Sequence, residues 1–558
     1  MKLVSSRRLT GPNLLWSRVG AVIDVQFDSG DCMDTFVVEW RAQVHGMLTA
    51  LGWGAEQTCE RRYSNGVSLA ISAPVDCLYA ATDVNEWAFE AAAAKIGRSE
   101  FDDFECAAAR LTELVRGERN PRLLDVIDGA ERHRVPWLRD DDSVSLGYGR
   151  YSRSWPVTDI PVPEAVDWNS VAAIPVGLVT GTNGKTTCVR LAAAILQAAG
   201  LQVGLSSTDW IATAGEIVER GDFSGPGGAR TVLRSDRVDA AVLETARGGM
   251  LRRGLAVRRA DAAVITNVAA DHLGEFGVET VEQLLDVKWI VTQACDRHSR
   301  LVLNADDASL AARGRDAPFN IVWFSLDPGH PLLEEAAQKC TVESGMVVLY
   351  QNHTRYELLP VVEIPVTLGG TAVHNISNVL AAVGLTGAMG AAPGVMAGGL
   401  AAMSNQDNPG RCNQFVVNGA RVMVDFAHNP HGVSAFLDIA RHAPGMRQLL
   451  VIGQAGDRRD EDIRELAQAA AAIPLNRVIV KELNQYARGR RHGETAAILR
   501  EEFVHRGIEP ERISVVENEI DAVRAAIDWT QPGDLLMLLI HEDRDGVLAY
   551  LQTLSGVG

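Results

Sequence analysis

From about residue 168 to the end of the 558-residue chain, short apolar runs stop abruptly at polar or acidic residues. "AIPVGLVTG", "DAAVLETA", "DAAVITNVA" and "RLVLNADD" are such runs within 168–405. "ARVMVDFAHN", "QLLVIGQAGD", "RVIVKELN", "RISVVEN" and "DLLMLLIHED" follow within 409–558. Continuous apolar runs with helical sequence between them predict buried strands of parallel sheets. Polar groups at the ends of such strands place a site at one edge of the sheet. The pattern predicts two α/β domains, 168–405 and 409–558, the second of Rossmann type but without a G-x-G-x-x-G fingerprint. Residues 1–163 read differently. "AVIDVQF" and "GVSLAISAP" are strand-like, and "NEWAFEAAAAKIG" is helical by its alanine content, an α+β pattern. "VTDIPVPEAVDW", with two prolines in close succession, reads as a linker into the next domain.

One strand run passes into "GTNGKTT" (Gly181, Thr182, Asn183, Gly184, Lys185, Thr186, Thr187) and then into "CVRLAAAILQAAG", a helix stopped by Gly200. A glycine-rich turn between strand and helix presents backbone N–H groups to phosphates. Lys185 is placed to reach the β and γ phosphates and Thr186 to ligate Mg²⁺. The loop is a variant of the Walker pattern: position 179 is Val and the first glycine is Gly181. Glu244 ends a neighbouring run, where an acid can hold a metal beside phosphates. Asn267, Asp271 and His272 follow another run.

Thr280 and Gln283 stand at capping-box spacing and start a helix. Lys288 falls on the apolar face of that helix, with Leu284, Leu285, Val291 and Cys295. A buried ammonium is costly unless paired or chemically altered. Two readings stand: a stem lying along the surface with its head in water, or a lysine turned to the metal site and carbamylated.

Bulk properties narrow the class. With 47% hydrophobic and 22% charged residues, the chain reads as an ordinary soluble protein of three or four domains. No apolar run is long enough to span a membrane. The N-terminus lacks the features of a secretory leader, and eight dispersed cysteines read as reduced thiols. A cytoplasmic location is expected. The net charge of −18 disfavours nucleic acid as a partner. Against it, five arginines lie between positions 247 and 259 (Arg247, Arg252, Arg253, Arg258, Arg259), as an anionic substrate would require or as a solvated helix face would allow.

"TGTNGKTT", Glu244, "NVAADHLG", Lys288, "LNADD", "HNISNVLAA", "PGRCN" and "VDFAHNP" together resemble the Mur-type amide ligases, in order and spacing, from 170 to 558. "GDFSGPGGARTVL", "LETARGGMLRRGL" and "GDRRDEDIREL" are similar to the ligase half of the cyanophycin synthetases. "RRLTGPNLLW" resembles the opening of their N-terminal domain, and "VPWLRDDDSVSLGYGRYSRSW" the segment leading into their ATP-grasp domain. Here the first α/β region begins only about a dozen residues later, without an ATP-grasp domain. The resemblance thus implies a cyanophycin-synthetase-like N-terminal domain (1–163), a Mur-type central P-loop domain and a Rossmann-like C-terminal domain.

It implies an ATP- and Mg²⁺-dependent, ADP-forming ligase that activates a carboxylate, such as an aspartate side chain, for attack by an amino acid such as arginine. By itself such a chain is not expected to make cyanophycin. A degenerate ligase serving as scaffold to an ATP-grasp polymerase, or a ligase for another peptide-like acceptor, are the alternatives. The resemblance assigns phosphate contacts to Lys185, one metal to Thr186 and Glu244, and a second to His272 and carbamylated Lys288. Asn375 and Asn378 resemble adenine-side residues; Arg411 and Asp425 resemble phosphate and ribose contacts. Arg247, Arg252, His428, Asn429, Asp457 and Asp460 are candidate substrate residues. A homo-oligomer is implied as well.

Overall fold

The structure, a computed structural model, describes residues 1–97, 101–441 and 447–556. The first strands form an antiparallel sheet in the order Lys2–Leu9, Gly20–Gln26, Gly66–Ser72, Thr58–Tyr63. Gly20–Gln26 and Gly66–Ser72 are buried on both faces, which explains their largely apolar sequences; the buried Asp24 carboxylate accepts from Ser68 Oγ of the neighbouring strand at 2.6 Å. On one face Ile23, Val25, Leu69 and Ile71 pack against Phe36 and Trp40 of helix Met33–Ala50 and Trp87 of helix Leu78–Gly97. On the other, Val22 and Ala70 meet Leu15 and Trp16.

The expected linker is not free chain. Ile160, Val166 and Trp168 pack against Leu123, Val126 and Ala130 of helix Pro121–His133, and Trp168 stacks on His133 with centroids 4.5 Å apart. The prolines hold the backbone extended, but the apolar residues between them have surface to bury. The preceding segment is a three-stranded antiparallel meander, Trp137–Arg139, Ser143–Leu146 and Arg153–Pro156. Its Leu138 and Tyr148 share a core with the next sheet, so the first region is fastened to the second.

That next sheet has eleven strands. Its seven parallel strands run in the order Val203–Ser206, Ala240–Glu244, Val176–Thr180, Ala262–Ile265, Arg300–Asn304, Asn320–Ser325, Lys339–Glu343. Antiparallel strands extend both edges: Trp210–Thr213 and Glu216–Arg220 on one side, Met346–Gln351 and Thr354–Pro360 on the other. The four runs read from the sequence are four adjacent central strands. Because they are parallel, Gly181, Glu244, Asn267 and Asp306 emerge at the same edge. Helices Lys185–Ala198 and Val373–Ala388 cover one face; Pro226–Arg234, Arg247–Arg253 and Val281–Trp289 cover the other. The expected capping box is formed by Thr280 and Gln283.

The last sheet has six strands, in the order Asn413–Val417, Ala420–Asp425, Leu535–Leu539, Gln448–Ile452, Arg477–Lys481, Ile513–Val516. All but the first are parallel. The five runs expected as strands are these five. Among the described residues no helix is long and apolar enough to cross a membrane.

Candidate active site

Strand Val176–Thr180 delivers the chain into the phosphate-type loop with Gly181 at φ 149° and Gly184 at φ 84°. A Cβ at Gly181 would lie 1.9 Å from Thr266 Oγ1, and one at Gly184 would lie 2.0 Å from Asn378 Oδ1. Both glycines are therefore required by space as well as by φ. The next strand's end holds the loop in shape. Thr182 N–H donates to the Asn267 carbonyl at 2.9 Å, Asn183 N–H to Asn267 Oδ1 at 3.0 Å, and Thr266 Oγ1 to the Asn183 carbonyl at 2.6 Å. Lys185 Nζ donates to the Thr182 carbonyl at 2.9 Å, folded over the loop it would share with a phosphate.

Glu244 is almost fully buried. Its carboxylate accepts from Thr186 Oγ1 at 2.9 Å, from Thr208 Oγ1 at 2.7 Å and from Thr208 N–H at 3.2 Å. These clustered hard oxygen donors beside the loop suit a divalent cation such as Mg²⁺.

Lys288 is 2% exposed, yet it lines the same cleft. Burial, and then the positive charge of Lys185, hold its pKa well below the ordinary lysine value. Among the described residues, no hydrogen bond or ion pair reaches its Nζ. Its stem is therefore packed inside the domain, not laid along the outer surface.

His272 sits on a tight turn with its backbone at φ 52°. Arg247 fixes the turn: it donates to the His272 carbonyl at 2.7 Å and to Glu275 Oε2 at 2.9 Å. Contact with His272, and then with Arg247, lowers the Glu275 carboxyl to about 2. Asp271 is also held low. Burial alone would raise it, but His428, His272 and Arg458 outweigh that.

Among the described residues, two groupings could hold a cation: Asp271, His272 and His428, or His272, Glu275 and Asp457. In this arrangement, however, the Arg458 guanidinium lies 2.7 Å from His272 Nδ1 and 2.9 Å from Nε2. A guanidinium only donates, so a metal at His272 needs Arg458 to withdraw. The Thr186–Glu244 position fits a cation as it stands; the His272–Lys288 position does not.

The cleft, of about 1640 Å³, lies between the eleven-stranded and six-stranded sheets. Every expected residue of the loop lines it, as do Glu244, Arg247, Arg252, His272, Lys288, Asn375, Asn378, Arg411, Asp425 and His428. Asn378 is bonded to Asn375 at 3.0 Å on helix Val373–Ala388. Arg411 lies over the Phe426 ring at 4.4 Å. Asp425 accepts from the Cys412 and Ala427 N–H groups.

Three candidates are placed otherwise. Asn429 is buried and bridges to Asn183, with contacts of 3.0 and 3.3 Å that tie the last domain to the loop. Asp460 pairs with Arg490 at 2.7 Å and does not line the cleft. Asp457 is engaged by Arg488 and Arg458 and does not line it either, although one oxygen lies 3.8 Å from His272 Nδ1. These acids neutralise the arginines of their own domain; Arg458 faces the cleft in their place. The sequence carried no signal separating Arg458 from its charged neighbours in "GDRRDED". Thr208 was also missed, because a lone threonine after a short strand has no pattern.

Residues 179–386 match the Mur ligase middle domain, and residues 410–539 match the Mur ligase glutamate ligase domain. The chain belongs to the Mur ligase family. It is 37% identical to a cyanophycin synthetase of Synechocystis sp. over 418 residues, 73% of this chain and 46% of that one. With a cyanophycin synthetase of Crocosphaera subtropica it shares 33% identity over 420 residues, 74% and 47% of the two chains. It therefore spans about half the length of these relatives. It is 30% identical over 308 residues to a UDP-N-acetylmuramoyl-L-alanyl-D-glutamate–2,6-diaminopimelate ligase of Gloeobacter violaceus, 53% and 58% of the two chains. MurF from Acinetobacter baumannii shares the fold at a TM-score of 0.50 and 18% identity, covering 68% of this chain and 77% of that one.

Proposed function

We propose that this chain is an ATP-dependent amide ligase that forms an acyl phosphate and transfers its acyl group to an amine. The observation that carries the reading is one cleft that joins the phosphate loop to Glu244, His272 and a buried, unpaired Lys288. A carboxylate oxygen of the acceptor attacks the γ phosphorus of ATP, and the bond to the β–γ bridging oxygen breaks to leave ADP. The amine then attacks the acyl carbon, loses a proton, and expels phosphate. Charge gathers on the transferred phosphoryl oxygens, where donors fixed in advance have their largest effect. Lys185 and the loop N–H groups supply such donors.

Thr186 and Glu244 would hold Mg²⁺, which supplies charge neutralisation at the phosphates. The lowered pKa of Lys288 favours the free, nucleophilic amine that carbamylation by CO₂ requires, and its carbamate would be an oxygen donor. His272 becomes available when Arg458 moves off it. Asn375, Asn378, Arg411 and Asp425 form the nucleotide's far wall in this reading. Arg247 and Arg252 face the acceptor, which fits an acidic one. By likeness to the cyanophycin synthetases, the acceptor is an aspartate β-carboxylate and the amine is that of arginine.

The test is ADP release by purified protein with Mg²⁺-ATP, across aspartate-containing acceptors and a panel of amino acids, with product masses. Turnover that needs both an acceptor and an amine is expected. Folded protein that binds ATP yet shows no acceptor-dependent turnover with any pair would overturn it.

A further inference from the structure

The turn His272–Gly277 carries two residues of the cleft, His272 and Glu275, and its backbone is strained. His272, Gly274, Phe276 and Gly277 all have left-handed φ, at 52°, 98°, 53° and 64°. A non-glycine residue in that region costs on the order of 1–2 kcal/mol. Two such residues within one short turn persist only where their surroundings fix them. Arg247 fixes the near side.

The far side is fixed by the four-stranded sheet of the first region. Arg61, on strand Thr58–Tyr63, donates from Nη1 to the Phe276 carbonyl at 3.2 Å and from Nη2 to the Gly277 carbonyl at 2.5 Å. Its guanidinium is largely buried, which lowers its pKa, and it makes no ion pair among the described residues. It is held on these two carbonyls without a carboxylate partner. The Tyr63 ring lies so close to Gly277 that a Cβ there would come within 2.3 Å of it. Arg7, from strand Lys2–Leu9, covers the Phe276 ring at 4.7 Å and donates to the Leu251 carbonyl at 3.1 Å. Ser64 N–H reaches Glu279 at 3.3 Å, beside the cap of the helix that carries Lys288.

The same surface continues along the other wall of the cleft. Thr10 N–H donates to the Arg253 carbonyl at 2.8 Å, and Leu255 N–H to the Pro12 carbonyl at 2.7 Å, at the end of the helix that carries Arg247 and Arg252. The contacts of the first region thus fall on the segments that present Arg247, His272, Glu275 and Lys288.

We infer that the N-terminal sheet is a positioning element of the ligase site: Arg61 and Tyr63 hold the His272–Gly277 turn in the strained shape that aims His272 and Glu275 into the cleft. This rests on the ligase reading only for its kinetic consequence; the conformational consequence stands apart from it. Arg61 touches no reacting atom and acts through the turn.

Two measurements on Arg61→Ala, Arg61→Lys and Gly277→Ala test the inference, with the exposed Arg41→Ala as control. In hydrogen exchange of the full chain, residues 272–279 of Arg61→Ala and Gly277→Ala are expected to lose protection, while the P-loop helix keeps it. In turnover, kcat is expected to fall about 10-fold or more, since small misplacements of positioned groups cost up to about 100-fold, with KM for ATP nearly unchanged. Arg61→Lys keeps the charge but loses the two-pronged contact, and is expected to recover only part of kcat.

Unchanged exchange at 272–279 in folded Arg61→Ala would overturn the inference whatever the reaction proves to be. Loosened exchange with unchanged kcat would overturn its functional half. If no variant, nor the wild type, turns over any substrate, the exchange result alone decides it.

Discussion

At the scale of single residues, Lys288 is the informative case. Its pKa is lowered by burial and by Lys185, so the folded protein binds fewer protons there than the unfolded chain over the range between the two values. Stability then rises with pH across that range and levels off at the ordinary lysine pKa. Each unit of depression corresponds to about 1.4 kcal/mol. In CO₂-depleted buffer, Lys288→Met is expected to be more stable than wild type below the ordinary lysine pKa. It should also flatten the pH slope of stability and abolish turnover. Urea denaturation at several pH values checks this. A lysine-like slope surviving in the methionine variant would exclude Lys288 as its source. A site that sacrifices stability for chemistry is common among enzymes.

At the scale of elements, the phosphate loop is shaped from outside itself. Gly184 begins helix Lys185–Ala198 in a left-handed conformation, and Asn378 of a second helix fills the space a side chain would need. Gly184→Ala is expected to weaken ATP binding by about 10-fold or more, the cost of one left-handed residue plus the clash. Adding Asn378→Ala relieves the clash but not the backbone term, so affinity should return in part, as titration calorimetry would read. Full recovery in the double variant would mean that φ at position 184 carries no cost.

At the scale of the whole molecule, Asp209 joins the central domain to the last one. It pairs with Arg190 of the loop helix and with Arg544 of the last domain, and lies 3.9 Å from Arg411. Burial would raise its pKa, but Arg411, Arg190 and Arg544 hold it low. Asp209→Ala leaves a buried guanidinium at Arg190 without its carboxylate, which costs about 3 kcal/mol or more. Arg544→Ala is expected to cost less and to show instead as a larger radius of gyration in solution scattering, because it releases the last domain from the central one. An unchanged radius would place the hold elsewhere, on Asn183–Asn429 or Arg458–His272.

The apolar runs that end in polar residues determined by themselves the two α/β regions, their central strands and the edge at which the cleft opens. Burial on both faces of a parallel strand leaves a continuous, local signature. The glycines of the loop, the Thr280 cap and the apolar face around Lys288 were legible for the same reason: each is fixed by neighbours within a few positions. The edge hairpin Trp210–Arg220 was not, because its outer strand is exposed along its whole length and carries no alternation. The packed segment 157–168 was not either, since its prolines hide that its apolar residues find a helix distant in sequence.

Only the tertiary structure decided which charges face the cleft. Asp457 and Asp460 turned out to neutralise arginines of their own domain, while Arg458 reaches His272, 186 residues away in sequence. Only it joined Arg61 to the turn that carries His272. Charge partners and strained turns are selected by long-range packing, to which no local period in the sequence corresponds.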